Sequence, residues 1–128
     1  MLIQVITLTA LLYLISKRKE QESGPCGILG RPGFYFTWAE LTVHRDTPGV
    51  PNNPNTSQCQ NLKRLASNVL DPLRELSGAP IYINSAFRSA AVNARTPNAS
   101  PNSLHMQGKS ADIYSNLLDP AQLKKLIE

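Results

Sequence analysis

Residues 103–113 read SLHMQGKSADI, and they contain the two side chains that best fit a metal site, His105 and Asp112. Imidazole nitrogen and carboxylate oxygen both bind zinc, and a catalytic zinc site keeps one position for water. The two residues are seven positions apart, an odd separation that would point them to opposite faces of one continuous strand. They can converge only if the backbone turns between them, and Gly108 permits such a turn. By spacing alone, the segment is a weak indication of a metal site.

The residues upstream and downstream of this segment predict an α+β fold. Residues 79–85 alternate apolar and polar side chains as a strand does, and a second short strand is expected around residues 110–114. A long helix is predicted before them, because apolar residues that pack in a core recur there at helical spacing: Leu62, Leu65, Ala66, Val69, Leu70, Leu73 and Leu76. Pro72 should kink or divide this helix near Asp71, and Gly78 should end it.

Two further helices are indicated by their capping residues. The sequence TWAE at residues 37–40 fits a capping box and predicts a helix over about residues 38–44. Asp119 followed by Pro120 supplies an N-cap acceptor and a proline at the first helical position. This pair predicts a helix over residues 120–127.

The first 15 residues contain no charged side chain and predict a hydrophobic helix. Fifteen helical residues span about 22 Å, which is less than the ~30 Å hydrocarbon core of a bilayer. The cluster Lys17-Arg18-Lys19 follows the apolar run, whereas a signal peptide carries its positive charge before that run, and basic residues placed there oppose export. We predict that residues 1–19 form a membrane anchor or an assembly helix, that residues 20–33 form a linker, and that residues 34–128 form the folded domain.

Composition narrows the classes of function. Hydrophobic residues make up 41% of the chain and charged residues 17%, which fits a domain with a core and excludes a disordered, highly charged chain. The net charge of +4 attracts polyanions, but the sequence has no basic stripe interleaved with aromatic residues, so no nucleic-acid partner is predicted. Five of the ten prolines lie within residues 45–56 and 89–104, which are predicted to be surface loops. Cys26 and Cys59 could pair with each other in an exported protein or remain two unlinked thiols.

Several segments carry a family resemblance. Residues 103–113 contain every fixed position of the motif S-x-H-x-x-G-x-A-x-D-I, residues 70–81 are similar to V-L-D-P-L-R-x-x-x-G-x-P-I, and residues 36–41 are similar to F-x-x-x-E-L. Residues 84–89 are similar to N-S-G-Y-R-S, with alanine and phenylalanine in place of glycine and tyrosine. In this order the segments resemble the zinc D-alanyl-D-alanine carboxypeptidase and L-alanyl-D-glutamate endopeptidase family, which includes phage endolysins. The likeness covers about residues 34–127.

The resemblance implies a small antiparallel sheet packed by helices, as in the hedgehog and DD-peptidase fold, preceded here by the N-terminal hydrophobic helix. It also implies Zn²⁺ as cofactor, with His105 and Asp112 as two of three protein ligands. The ion would activate a water molecule and polarise the scissile carbonyl. Arg88 would be catalytic by stabilising the oxyanion, or it would bind a substrate carboxylate. Ser103 would orient the substrate or a ligand, or it would cap a turn.

The family takes its third zinc ligand from a histidine near the C-terminal end of the domain, and an acidic general base lies just before it. Neither pattern occurs up to Glu128, so the third ligand and the base are unassigned. His44 is the other histidine, and it falls in a different region of the sequence, while Asp46 and Glu40 match no motif. General-base help commonly contributes ~10²–10⁴ in rate. If the natural chain ends there, we expect weak activity or none, unless a partner subunit completes the site.

The resemblance leads to two alternative functions. The first is a zinc metallopeptidase that cleaves peptidoglycan stem peptides, as carboxypeptidase or endopeptidase, for wall lysis or remodelling in a phage or a bacterium. The second is a catalytically incomplete module with the peptidase fold, serving as a structural or wall-binding component of a virion or envelope. In both, the expected location is membrane-associated or virion-associated, at the bacterial cell envelope, with residues 1–19 available for membrane or virion assembly.

Overall fold

A computed structural model of the chain describes residues 7–22 and 24–128. Residues 1–6 of the predicted anchor and residue 23 of the predicted linker lie outside the described residues, as do the side chains of the basic cluster at 17–19. The first helix, α1, spans Leu8–Glu22. Across the described ranges, none of the helices combines the length and the apolar character that crossing a membrane requires.

Residues 24–33, which the sequence predicts as part of a linker, pack against the rest of the domain. A short 3₁₀ turn, Gly27–Leu29, lies in this segment. The indole Nε1 of Trp38 donates to the carbonyl of Gly30 at 2.6 Å. Cys26 forms a disulfide with Cys59, and both cysteines are about 1% exposed. The pairing that the sequence left open is therefore present, and it joins this segment to the helix that carries Cys59.

Helix α2 spans Trp38–Thr42 and begins with the predicted capping box. Thr37 accepts from the backbone N–H of Glu40, and the Glu40 carboxylate accepts from the backbone N–H of Thr37 at 2.7 Å. The loop that follows is anchored by Asn52, whose amide donates to the carbonyls of Thr42 at 2.6 Å and Phe87 at 3.0 Å. Asn52 therefore connects the end of α2 to the backbone at Phe87.

The long apolar stripe forms three consecutive helical pieces. Helix α3 spans Thr56–Leu65, a π-helical turn spans Ala66–Leu70, and helix α4 spans Asp71–Ser77. Pro72 lies in the first turn of α4, where its missing N–H is tolerated. The change from the π turn to α4 falls at Asp71, where the sequence predicted a kink or a division, and the backbone stays helical across it. Gly78 ends α4 in the left-handed conformation with φ +62°.

Two members of the predicted stripe do not reach the core. Val69 is 48% exposed and Leu76 is 69% exposed, whereas Leu62, Leu70 and Leu73 are buried. A π turn holds more residues per turn than an α-helix, so the register of the apolar face shifts across Ala66–Leu70. The 3.6-residue periodicity assumed for the whole stripe therefore placed Val69 on the wrong face.

The described residues contain a two-stranded antiparallel sheet, formed by β1, Tyr82–Ser85, and β2, Asp112–Tyr114. Tyr82 lies opposite Tyr114, and Ser85 lies opposite Asp112. The register shifts between Ile83 and Ser85, which is the mark of a β-bulge, a feature common beside functional sites. With its small antiparallel sheet, its packed helices and an N-terminal helix, the structure confirms the predicted α+β class.

The connection between the strands is more ordered than the predicted surface loop over residues 89–104. It contains helix α5, Ala90–Ala94, and a 3₁₀ turn, Leu104–Gln107. Ser89 caps α5 by accepting from the backbone N–H of Val92 at 3.2 Å. The many Pro, Asn and Ser residues indicated a loop, but a serine cap and a buried Val92 are enough to form a short helix.

Helix α6 spans Pro120–Ile127, as predicted, with Asp119 as its N-cap. Its buried Leu123 packs in the core. The other core residues come from the segment before α2, from α2, α3 and the π turn, and from the residues around β1. The largest fully buried side chains include Phe36, Phe87, Leu41 and Leu62 of this core. Ser85 and Asp112 pair at one end of the sheet. Ser85 is buried and Asp112 is exposed, so this end of the sheet lies at the edge of the core.

Candidate metal centre

His105 is held in place by its backbone and its ring together. It lies in the 3₁₀ turn Leu104–Gln107 and is 7% exposed. Its ring Nδ1 is 2.7 Å from the carbonyl oxygen of Ala86. A carbonyl only accepts hydrogen bonds, so Nδ1 carries the proton, and in a neutral imidazole the other nitrogen, Nε2, then presents its lone pair. Fixing one ring nitrogen in this way is how proteins orient histidine ligands toward a metal.

Helix α3 supports the turn that carries His105. The side-chain amide of Gln58 donates to the carbonyl of Met106 at 2.9 Å, and that of Asn61 donates to the carbonyl of Gln107 at 2.9 Å. Gly108 follows in the left-handed conformation with φ +72°. A Cβ atom at Gly108 would lie 2.7 Å from the carbonyl oxygen of Gln58. The predicted backbone reversal therefore occurs at Gly108, and it needs glycine for conformation and for close approach.

The reversal brings the two predicted ligands together. His105 Nε2 lies 3.5 Å from Asp112 Oδ2. Two ligand atoms at zinc–ligand distances of about 2.0–2.1 Å in tetrahedral geometry stand about 3.3–3.4 Å apart, which is close to the observed separation. Ser110 Oγ lies 3.4 Å from the same Nε2. Two atoms that both present lone pairs at this distance are stabilised by a shared cation, so the pair fits zinc in its chemistry and its spacing.

Asp112 reaches this position because of the strand register. It opens β2 directly opposite Ser85, just beyond the bulge in β1. Its side chain is 59% exposed, whereas that of His105 is 9% exposed. The pair thus joins a buried, oriented imidazole to a carboxylate that faces solvent.

Arg88 and Ser103 lie beside His105. The backbone N–H of Arg88 donates to the carbonyl of His105 at 3.1 Å, and its Nη2 is 3.4 Å from Ser103 Oγ. Ser103 also caps the 3₁₀ turn, because its hydroxyl accepts from the backbone N–H of His105 at 3.3 Å. The capping role that the sequence allowed for Ser103 is present, together with a contact to the guanidinium of Arg88.

A cleft of about 410 Å³ opens next to Asp112 and Arg88. Its volume is in the usual range for small-ligand sites. His44 and Asp46 also line it, although no motif in the sequence places these residues near Asp112. They arrive there because Asn52 folds the loop after α2 back onto Phe87, a long-range contact that spacing in the sequence does not reveal.

Three more residues of this region were not assigned a site role from the sequence. Ser85 and Arg95 line the cleft, and Ser110 contacts His105. Ser85 could have been found from the predicted strand, since a polar residue ending a strand beside a motif arginine is a candidate for the site. For Arg95 the sequence offers no signal, because its position depends on α5, which composition did not predict.

A third ligand is not part of the observed group. Within the described ranges, no three His, Cys, Asp or Glu side chains are gathered closely enough to hold a metal ion. His44 Nδ1 instead lies 3.0 Å from Thr47 Oγ1. His105 and Asp112 would therefore supply two of the three protein ligands that catalytic zinc sites commonly use.

Comparison with known proteins adds one finding. Residues 34–128, which are 95 of the 128 residues, match the family model described as Peptidase M15. No curated protein and no solved structure shows a significant match to the chain. The family match confirms the resemblance drawn from the motifs, and it covers the whole segment from Phe34 through His105 and Asp112 to the end of the given sequence.

Proposed function

Because this chain belongs to the peptidase M15 family, we propose that it is a zinc-dependent peptidase that hydrolyses the peptide stems of bacterial peptidoglycan. The observation that supports the proposal best is the 3.5 Å separation of His105 Nε2 and Asp112 Oδ2 at the edge of a cleft also lined by Arg88. We place this activity at the bacterial cell envelope, in a bacterial or phage setting. The family match supports the peptidase class, and the substrate and location are our proposal.

Each residue of the site has a chemical task in this proposal. His105 and Asp112 would hold the zinc ion, with Ala86 fixing the tautomer and direction of the imidazole through its carbonyl. When bound, zinc supplies a Lewis acid that polarises a carbonyl group and lowers the pKa of a coordinated water. Arg88, held beside His105 by its backbone, is positioned to stabilise negative charge that develops on the carbonyl oxygen of the substrate.

Zinc content and wall hydrolysis test the proposal together. The wild-type protein should bind zinc, and Asp112→Asn and His105→Ala should weaken that binding by about a hundredfold or more, since even residues that only support ligands commonly contribute 10–100-fold. Metal titration measures the affinity, and clearing of purified peptidoglycan in a zymogram measures hydrolysis. We expect the same variants to abolish the clearing.

The matched control is Asp119→Asn, the same chemical change at the N-cap of α6. Asparagine caps a helix about as well as aspartate, so this variant should keep wild-type zinc affinity and hydrolysis. If Asp112→Asn binds zinc as tightly as Asp119→Asn does, the zinc-peptidase proposal is wrong.

A second candidate function is a non-catalytic module that binds wall peptides. The group of two ligands in the described residues favours it, because catalytic zinc sites commonly use three protein ligands. Binding of purified peptidoglycan without release of soluble peptides would support the module. Release of peptides that depends on Asp112 would support the enzyme.

A further inference from the structure

The segment that carries His105 is held from two sides, by different parts of the fold. On one side the carbonyl of Ala86 lies 2.7 Å from the ring Nδ1 of His105, and the backbone N–H of Arg88 donates to the carbonyl of His105 at 3.1 Å. On the other side Met106 and Gln107 accept hydrogen bonds from side chains of helix α3. The direction of the imidazole therefore depends on α3 as well as on the segment after β1.

Gln58 joins the start of α3 to this turn through a single side-chain amide. Its Oε1 accepts from the backbone N–H of Asn55 at 2.8 Å, which completes the capping box of the helix. Its Nε2 donates to the carbonyl of Met106 at 2.9 Å. The two halves of the amide thus have separate tasks, because the oxygen caps α3 and the nitrogen holds the residue next to His105.

Asn61 makes a second contact from the same side of α3. It lies three positions after Gln58, about one helical turn further along, and its Nδ2 donates to the carbonyl of Gln107 at 2.9 Å. Its Oδ1 accepts from Arg64 Nη1 at 3.4 Å. Here too the nitrogen of the amide contacts the turn, while the oxygen has a partner within the helix.

The helix that carries these two amides is fixed in the core. Cys59 follows Gln58 directly, is about 1% exposed and is bonded to Cys26. Leu62, which follows Asn61, is fully buried. Because protein interiors are close-packed, α3 has little freedom to move, so the donors at positions 58 and 61 provide fixed points for the turn.

We propose that Gln58 and Asn61 are positioning residues of the metal centre. By fixing the 3₁₀ turn Leu104–Gln107, they keep His105 Nε2 at the distance from Asp112 that a shared cation requires, and neither of them touches the ion or the substrate. This inference rests on the proposed zinc function for the identity of the ion, whereas the hold on His105 exists in the metal-free protein and is tested there as well.

Two isosteric substitutions remove the donors and leave the other half of each amide in place. Gln58→Glu keeps an oxygen that caps α3, since glutamate serves in a capping box as glutamine does, but it places an acceptor opposite the carbonyl of Met106. Asn61→Asp likewise keeps the oxygen that faces Arg64 and loses the donor.

Titration of metal-free, full-length protein with zinc alone measures the effect. We expect Gln58→Glu and Asn61→Asp each to weaken zinc binding about tenfold, because groups that orient histidine ligands commonly contribute 10–100-fold to metal affinity. Electrostatics alone predicts the opposite sign, since an added negative charge attracts a cation.

The matched controls make the same chemical changes away from the turn. Gln122 occupies the same place in the capping box of α6 as Gln58 does in that of α3, so Gln122→Glu is the control for Gln58→Glu. Asn68 is exposed in the π turn, and Asn68→Asp is the control for Asn61→Asp. Both controls should keep the zinc affinity and the urea midpoint of the wild type.

NMR of the metal-free protein separates positioning from a loss of stability. The wild type should show neutral His105 protonated at Nδ1, and Gln58→Glu should show both tautomers while its urea midpoint stays close to that of Gln122→Glu. The backbone N–H of Lys109 donates to the carbonyl of Leu104 at 3.1 Å and closes the turn. Its hydrogen exchange should become several-fold faster in Gln58→Glu.

The outcomes distinguish this proposal from the peptidase function. A variant that binds zinc at least as tightly as its control shows that its residue does not position the site. An unchanged His105 tautomer together with unchanged exchange at Lys109 in Gln58→Glu would overturn the role of Gln58 whatever the affinity. If the wild type binds no zinc but the tautomer depends on Gln58, the positioning role stands and the zinc-peptidase proposal fails. If zinc-dependent hydrolysis is found and both variants match their controls, the peptidase stands and the positioning role fails.

Discussion

Gly108 is the residue on which the candidate metal site depends most directly. Its φ of +72° turns the chain between His105 and Asp112, and the absence of a side chain lets the turn approach α3, where an added Cβ would lie 2.7 Å from the Gln58 carbonyl oxygen and 3.0 Å from Leu62 Cγ. The left-handed conformation alone costs about 1–2 kcal/mol for a residue with a Cβ. The clash with backbone adds to that cost, because α3 is itself packed in the core.

We therefore expect Gly108→Ala to lower the free energy of unfolding by about 2–4 kcal/mol and to weaken zinc binding. Gly49→Ala is the control, since Gly49 has a similar φ of +80° but no described atom within 4 Å of an added Cβ. It should lose only the conformational cost of about 1–2 kcal/mol. Urea unfolding measures both values, and equal losses in the two variants would show that close approach to Gln58 is unimportant.

At the residue scale, local motifs were enough to predict which side chains lie close together. His105, Asp112, Arg88 and Ser103 are placed together by the turn at Gly108 and by backbone contacts within residues 86–108. The cleft wall formed by His44, Asp46 and Arg95 was not predicted. These residues come from loops whose paths are set by tertiary hydrogen bonds, and hydrogen bonds of that kind leave no periodic pattern in a single sequence.

At the scale of elements, prediction succeeded where capping or proline chemistry is local. The starts of α2 and α6 and the division before α4 follow from residues within one turn of each boundary. The π turn at Ala66–Leu70 was not predicted, because apolar spacing does not distinguish a π turn followed by an α-helix from one long α-helix. Its consequence, the exposure of Val69, could not be predicted for the same reason.

Helix α1 exposes large apolar side chains to solvent. Leu8 is 72% exposed and Leu12 is 57% exposed, and the sequence places the basic cluster of residues 17–19 about one helical turn after Leu12. An apolar helix followed by basic residues is suited to an anionic membrane surface. We propose that α1 associates with such a surface and expect the double variant Leu8→Glu/Leu12→Glu to bind anionic phospholipid vesicles roughly tenfold or more weakly than the wild type, since each buried leucine contributes about 1.5–3 kcal/mol.

The control for this prediction replaces two equally exposed leucines elsewhere. Leu76 is 69% exposed on α4 and Leu117 is 73% exposed before α6, so Leu76→Glu/Leu117→Glu introduces the same charge without changing α1. Vesicle co-sedimentation should separate the two double variants. Equal binding by both would mean that α1 does not contact lipid and would favour an assembly role for this helix.

At the scale of the whole molecule, the disulfide links the segment before α2 to helix α3. It also indicates the cellular compartment of the protein. Cys26 lies outside the residues matched by the family model, and Cys59 lies within them. Disulfides persist in oxidising compartments and are rare in reducing ones. We infer that residues 24–128 reside outside a reducing cytoplasm. This inference agrees with the proposed activity at the cell envelope and opposes the topology that the basic cluster alone favours.

The stability of the molecule should depend strongly on this link. The two cysteines are 33 positions apart, and cross-linking a loop of that length removes chain entropy from the unfolded state worth about 3–4 kcal/mol. The variant Cys26→Ser/Cys59→Ser should therefore lose about that much free energy of unfolding in urea, and the wild type should lose a similar amount when reductant is added. Reductant should leave the variant unchanged, which controls for other effects of the reagent. A wild type whose unfolding midpoint is the same with and without reductant would show that the Cys26–Cys59 bond does not stabilise this fold.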